Sequence, residues 1–363
     1  MFREALRDGP PWWYAAGAPG QKARLTVRLL EPVSRLVAAL GERRWRQIAP
    51  YHAMLPVICI GNFTVGGTGK TPLALHVASL LTERGERPVF LTRGYGGRIT
   101  GPHLVNGDRD DSGSVGDEAL LLAGHHPTVV ARDRALGARL IEQLANAVGG
   151  PTVLIMDDGL QNPALAKDLT LAVVDGRRGI GNGHVLPAGP LRAPLAVQMA
   201  RTDAIIVNTP QAGTAPDTNG DARAADWLRQ QFTGPVLDAH PQVTGDIRWL
   251  AGSRWVAFAG IGNPTRFYDL LRHHGADLTD TISFRDHHAF TDVDAARVLA
   301  VAKQLGAGLV TTEKDLVRLS GDGAAGELRQ AARALPIRLH LEARDNLRLI
   351  SLLETTLRKR NGT

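Results

Sequence analysis

The sequence predicts an α/β protein: a mainly parallel sheet carrying the larger part of the chain, and a second, smaller α/β unit after it. Three observations carry that reading. Short, unbroken apolar runs alternate with helical stretches through the first half, the pattern of a sheet covered on both faces. A break over about 211–221, rich in Thr, Gly, Ala, Asp and Pro, interrupts the pattern. The alternation then resumes at Trp255-Val256-Ala257-Phe258. A length of 363 residues accommodates two such units, at about 100–200 residues per domain.

The first element is a helical segment. Pro10-Pro11-Trp12-Trp13-Tyr14 precedes a stretch over about 24–47 whose Leu25, Leu29, Leu30, Val33, Leu36, Val37 and Leu40 follow helical spacing. Arg24, Arg28, Arg35, Arg43, Arg44 and Arg46 flank them. Pro32 is expected to split the stretch into two short helices. Residues 1–48 therefore read as an amphipathic segment suited to a membrane interface, against the competing reading of a helix packed on the protein's own core. The start Met1-Phe2-Arg3-Glu4 leads into neither the apolar run nor the cleavage site of a secretory signal.

Buried strands are expected at 56–60, 88–92, 128–130, 152–156, 171–174 and 204–207, with a helix within 131–148. Beyond the break, strands fall at 255–258 and 308–312, and helices at 264–274 and 292–305. Composition agrees: 44% hydrophobic and 21% charged residues support a packed core and exclude a disordered, collagen-like or coiled-coil chain. The single Cys59 excludes a disulfide framework and a thiolate metal cluster, and fits a reducing compartment. No apolar run approaches the ~18 residues needed to cross a bilayer. A net charge of +6 suits anionic partners without choosing among phosphates, lipid headgroups and nucleic acid.

The strongest local signal is Gly61-Asn62-Phe63-Thr64-Val65-Gly66-Gly67-Thr68-Gly69-Lys70-Thr71-Pro72, between an expected strand and an expected helix. That is the setting of a phosphate-binding P-loop. Gly66, Gly67, Thr68 and Gly69 would turn backbone N–H groups onto phosphate oxygens, and the helix start adds partial positive charge. Lys70 would reach the β- and γ-phosphates, and the Thr71 hydroxyl would hold Mg²⁺. Pro72 suits a first helical turn. One departure from the strict pattern is Thr64, where glycine is usual. Asp157-Asp158, at the end of the apolar run 153–156, supply the carboxylates expected at the same sheet edge. Together these motifs imply a P-loop NTPase domain using ATP or GTP with Mg²⁺.

Further strings occur in a specific order. They are Thr92-Arg93-Gly94-Tyr95-Gly96-Gly97, Val115-Gly116-Asp117-Glu118, Asp157-Asp158-Gly159-Leu160-Gln161, Asp175-Gly176 with Arg178, and Gly181-Asn182-Gly183 with Leu186-Pro187-Ala188-Gly189-Pro190-Leu191-Arg192. Ala259-Gly260-Ile261-Gly262-Asn263-Pro264, Asp286-His287 and Thr311-Thr312-Glu313-Lys314-Asp315 complete the set. Over about 50–320 the chain resembles the tetraacyldisaccharide 4'-kinase (lipid A 4'-kinase) family.

The resemblance implies transfer of the γ-phosphate of ATP, with Mg²⁺, to the 4'-hydroxyl of a tetraacyldisaccharide 1-phosphate, a lipid A precursor. The resumed alternation places the smaller α/β domain at about 245–338; the resemblance implies a kinase domain, here 49–244, joined to it by a short linker, with 339–363 returning to the kinase domain. The enzyme would be a monomer, peripheral on the anionic cytoplasmic face of the bacterial inner membrane, with no nucleic-acid partner. Position by position, Lys70 and Thr71 match the P-loop pair, Asp117 the group that activates the sugar hydroxyl, and His287 its histidine partner. Glu118, Asp157, Asp158 and Gln161 match the magnesium and nucleotide region, and Arg178 a phosphate-side arginine. Arg93 and Tyr95 would line the substrate side. The competing class is a P-loop GTPase or metallochaperone-type regulator, but Thr312-Glu313-Lys314-Asp315 has the wrong order to read guanine. A nucleic-acid ATPase would need interleaved aromatics, and these are only 5% of the chain.

Overall fold

The structure, a computed structural model, describes residues 9–14, 20–147, 149–209 and 220–361. The reading of the first four residues lies outside these, as does that of the polar break up to position 219. Pro11–Trp13 forms a 3-10 turn, and α1 (Gln21–Gln47) follows. The chain enters the main sheet at β1 (Val57–Asn62), leaves through α2 (Lys70–Thr82) and returns at β2 (Pro88–Thr92). Next come β3 (His103–Leu104), α3 (Ser112–Val115), α4 (Asp117–Ala123) and β4 (Thr128–Val130). α5 (Arg134–Ala145) leads to β5 (Val153–Asp157) and β6 (Leu169–Asp175). α6 (Leu195–Met199), β7 (Ala204–Asn208), α7 (Gly220–Gln231) and β8 (Val236–Val243) complete this half.

The second half holds β9 (Arg254–Ala259), α8 (Pro264–His273), β10 (Asp277–Ser283) and α9 (Asp292–Leu305). It continues through β11 (Gly308–Thr312), α10 (Glu313–Leu316), α11 (Ala324–Ala331) and β12 (Ala332–Leu335). β13 (Ile337–Leu341) and α12 (Ala343–Asn361) close the described chain.

Among the described residues the strands form two sheets, of nine and four strands. The larger runs β13-β8-β7-β6-β1-β5-β2-β4-β3, and the smaller β10-β9-β11-β12. Only the edge pairs β13–β8 and β3–β4 are antiparallel; every other neighbour is parallel. Alternate residues of β1 show why its apolar run is continuous. Ile58 and Ile60 pack with Leu73 and Val77 of α2 and with Leu349 and Leu353 of α12. Val57 and Cys59 pack on the other face with Ala138 and Ile141 of α5. Both faces are thus covered, as a parallel sheet requires. The chain crosses to the small sheet after β8 and returns at Pro336, whose missing N–H ends β12 pairing. The two crossing strands, β8 and β13, pair antiparallel.

At the N-terminus, the expected split at Pro32 does not occur: α1 is one helix through it. A proline inside a helix costs about 3 kcal/mol by removing one hydrogen bond. Here Pro32 and Arg28 are exposed, so water can take the freed Arg28 carbonyl, and a Glu31–Arg35 pair at 2.7 Å spans the site. Nor does α1 bury its leucines in the core. Its one buried residue is Ser34, whose hydroxyl accepts the Ala188 N–H at 3.0 Å. The Trp45 ring lies 3.8 Å from the Arg201 guanidinium and 4.7 Å from the Lys167 ammonium. On the other side Leu25, Leu29 and Leu36 are 59%, 70% and 58% exposed, beside Val33, Val37 and Leu40.

Ahead of α1, Trp13 is 1% exposed and its carbonyl accepts the Asn182 N–H at 2.8 Å. The Tyr14 hydroxyl donates to the Val65 carbonyl at 3.4 Å. Trp13→Ala is expected to lower unfolding free energy by about 3–5 kcal/mol, read from the urea midpoint; an unchanged midpoint would show that this segment contributes no packing.

Candidate active site

All parallel strands of the large sheet end at one edge, and the loops there assemble the site. β1 runs into the phosphate loop and α2 starts at Lys70. Gly69 caps α2 with φ +100°, and a Cβ there would stand 2.6 Å from Asn208 Nδ2. Only glycine meets both demands. Asn208 Nδ2 donates instead to the Thr68 carbonyl at 2.9 Å, tying the loop to the end of β7. No side chain caps α2, so its first N–H groups stay open to an anion. Gly66 also has positive φ, and nothing lies within 4 Å of a Cβ at Gly67.

Beside the loop lie three carboxylates. Asp157, at the end of β5, is 1% exposed, and neither carboxylate oxygen has a hydrogen-bond partner among the described residues. Burial, with the nearby charges of Glu118 and Asp158, pushes its carboxyl up to about 7. Asp158 follows with φ +51°, strained for a non-glycine residue. Burial would raise its carboxyl too, but the charges of Lys70 and Arg192 outweigh that and hold it below the usual range. Arg192 Nη1 is 2.7 Å from Asp158 Oδ1, and Lys70 Nζ 3.8 Å. A buried, unpartnered carboxylate among other oxygen donors suits a hard divalent cation. Asp157, Asp158, Glu118 and Thr71 are the residues able to hold one.

The small sheet completes the edge. Asp117 starts α4 and is 5% exposed. His287, with φ +54°, places Nδ1 2.8 Å from Asp117 Oδ2. Its Nε2 is 3.1 Å from Lys314 Nζ. Nε2 also lies 3.9 Å from Asp286 Oδ1, and Nδ1, beside a carboxylate oxygen, donates to Asp117 Oδ2. Lys314 also lies 3.4 Å from Glu118 Oε1 and 3.8 Å from Asp117 Oδ2. Arg318 Nε reaches Asp117 Oδ2 at 2.9 Å. Burial alone would raise the Asp117 carboxyl; the His287 hydrogen bond and the Lys314 and Arg318 charges outweigh it and hold it far below the ordinary range.

The sequence-expected residues thus gather at one edge, with differing engagements. Tyr95 is 49% exposed, its ring centroid 6.2 Å from that of His287. Arg93 is exposed at the end of β2. Arg178 lies 5.1 Å above the Tyr14 ring, whose hydroxyl meets the phosphate loop. Gln161, expected at the nucleotide, spends its amide within the protein: Nε2 donates to the Asn62 carbonyl (2.9 Å) and Gln198 Oε1 (2.7 Å), and Oε1 accepts from Arg192 (3.4 Å). Sequence reasoning missed Arg192, Asn208, Lys314 and Arg318. Arg192 and Lys314 lay inside strings already singled out; nothing local distinguished Asn208 or Arg318.

A glycine-rich strand–helix loop at the edge of a mainly parallel sheet, faced by a carboxylate–imidazole pair assembled from both sheets, defines an α/β protein with the site expected of a P-loop enzyme. Comparison with known proteins narrows the class. The family model for tetraacyldisaccharide-1-P 4'-kinase (LpxK) matches residues 26–358. A tetraacyldisaccharide 4'-kinase of Rhodopseudomonas palustris strain CGA009 is 47% identical over 302 residues, 82% of this chain and 84% of that one. One of Bradyrhizobium diazoefficiens is 42% identical over 355 residues, 96% of each chain. A crystal structure of LpxK from Aquifex aeolicus, described as an "apo" form in complex with ATP, superposes with a TM-score of 0.70 at 25% identity, covering 91% of this chain and 99% of that one. This chain belongs to the tetraacyldisaccharide 4'-kinase family.

Asp157 makes a prediction for the metal-free protein. Its carboxyl titrates near 7 when folded and near 3.8 when unfolded. Between those values the folded state holds a proton that the unfolded chain has lost, so stability falls as pH rises from about 4 to 7. Asp157→Asn is expected to stabilise the metal-free protein at pH 8 by on the order of 2–4 kcal/mol, with the gain vanishing towards pH 4. Urea titrations at both pH values check it; a pH-independent difference would contradict it.

Proposed function

We infer that the protein is a lipid kinase transferring the γ-phosphate of ATP to the 4'-hydroxyl of a tetraacyldisaccharide 1-phosphate in lipid A biosynthesis. Family membership identifies the reaction. The observation that fits it to this site is the set of charged groups that links the two ends: Lys70 meets Asp158, the charges of Asp158 and Glu118 act on Asp157, and Lys314 joins Glu118 to Asp117, which meets His287. It joins a triphosphate cradle to a proton acceptor.

We propose these roles. The loop N–H groups of residues 66–69 and the start of α2 hold the phosphates, and Lys70 bridges to the transferring group. Thr71, Glu118, Asp157 and Asp158 would hold Mg²⁺, which when bound supplies charge neutralisation at the phosphate oxygens. Asp117 takes the proton of the sugar hydroxyl, and His287 orients it. A carboxylate of low proton affinity suffices, because in a loose transition state the hydroxyl becomes acidic only as its bond to phosphorus forms. Tyr95 and Arg93 border the entry for the disaccharide. Since Asp117 and His287 come from different sheets, approach of the two sheets about β8 and β13 assembles the site.

The exposed stripe of α1 supports docking of a monomer at the cytoplasmic face of the inner membrane. Leucines entering the interface gain about 25 cal/mol per Å², and each arginine near anionic lipid adds roughly 1 kcal/mol. The anchored face of α1, at Ser34 and Trp45, is opposite and stays on the protein.

Two measurements test this. Labelled γ-phosphate should pass from ATP-Mg²⁺ to tetraacyldisaccharide 1-phosphate in detergent micelles and be nearly lost in Asp117→Ala; ATP hydrolysis without lipid product would refute the kinase reading. The double variant Leu29→Glu, Leu36→Glu should sediment several-fold less with anionic liposomes while binding ATP normally; equal sedimentation would refute the docking role of α1.

A further inference from the structure

Arg318 is 5% exposed and lies 201 residues from Asp117 in the chain. Its guanidinium is fixed first by groups of the small-sheet half. Nη1 donates to Asp315 Oδ1 at 2.7 Å and to the Gly260 carbonyl at 2.6 Å. Asp315 is itself fully buried and accepts the Thr312 hydroxyl at 2.7 Å. A Cβ at Gly260 would stand 3.2 Å from Asp315 Oδ1, so glycine there leaves room for the pair. The remaining edge, Nε and Nη2, points across to Asp117, and both nitrogens meet Oδ2, at 2.9 and 2.5 Å.

The distribution over the two Asp117 oxygens is uneven. Arg318, His287 Nδ1 and Lys314 Nζ all converge on Oδ2. Oδ1 accepts the Glu118 backbone N–H at 3.0 Å. An ionised carboxylate oxygen offers about two lone pairs, so Oδ2 is saturated and Oδ1 keeps one free. We propose that Arg318 is a positioning residue for phosphoryl transfer: it fixes the Asp117 carboxylate through Oδ2, leaving Oδ1 to take the proton of the acceptor hydroxyl. The O–H bond breaks as the bond from that oxygen to the γ-phosphorus forms; ADP leaves and the proton rests on Oδ1.

This rests on the reading of Asp117 as the proton acceptor. An ion pair retained only for stability is replaceable by apolar groups of similar volume at little cost. A positioning group is not, because displacing a reacting atom by about 1 Å costs on the order of 100-fold in rate. Lysine is no substitute, since a point charge cannot span Asp315 and Asp117 together.

The test uses the full chain in detergent micelles with ATP-Mg²⁺ and tetraacyldisaccharide 1-phosphate. Arg318→Ala is expected to lower kcat about 100-fold and leave KM for ATP unchanged within about twofold, because the phosphate loop is untouched. Millimolar guanidinium should restore at least about tenfold of that loss, and Arg318→Lys should stay impaired. Asp315→Asn, which keeps the volume filled and loosens only Nη1, should lower kcat about tenfold and guards against misfolding of the alanine variant. A fall in kcat no larger than the fall in folded fraction, or a loss that guanidinium does not relieve, overturns the positioning role. Wild-type turnover by Asp117→Asn would instead overturn the reading of Asp117 on which it rests.

Discussion

Parallel strand direction is the constraint on which the rest depends. Because β1, β2, β5, β6 and β7 run the same way, Asn62, Thr92, Asp157, Asp175 and Asn208 all arrive at one edge. The loops bearing Lys70, Asp158 and Arg178 all leave the large sheet there. The opposite requirement, apolar cover on both faces, is met by α2 and α12 on one side and α5 and α7 on the other. The small sheet then sets its own loops against the same edge, which is how Asp117 meets a histidine and two cations from far along the chain.

The electrostatics follow from that crowding. Asp157 and Asp117 are both nearly excluded from water, yet their carboxyls move in opposite directions. Burial acts alike on each; the neighbours differ. Asp157 faces two other carboxylates and has no hydrogen-bond partner among the described residues, so its carboxyl is pushed up. Asp117 faces an imidazole N–H, an ammonium and a guanidinium, so it gives its proton up. One aspartate has carboxylates for neighbours; the other has protein cations in place.

Much of this was legible in the sequence where the signal is local. Strands over 88–92, 128–130 and 308–312 and the helix over 292–305 coincide with β2, β4, β11 and α9, because unbroken apolar runs and the Thr291 capping box are written in adjacent residues. The glycines of the phosphate loop and the Asp157-Asp158 pair were equally visible. What escaped depends on partners distant in sequence. β10 alternates polar residues along an outer edge, β12 has the composition of a helix, and β8 contains Pro241 beyond its last β7 partner. Arg318 looks like any helix-end arginine until the fold brings Asp117 to it. Pro32 misled for the converse reason: its local preference is real, but an exposed helix tolerates it.

His287 and Asp158 are the two non-glycine residues with positive φ among those described, one from each sheet. Their backbones are held against preference, at about 1–3 kcal/mol each. A programme to raise thermal stability by relieving unfavourable backbone angles would choose these positions first and place glycine at both. It would remove the imidazole that meets Asp117 and the carboxylate that meets Lys70 and Arg192, one from each sheet. Under the roles proposed above, backbone comfort and turnover are opposed at these two residues, so heat resistance has to be sought elsewhere.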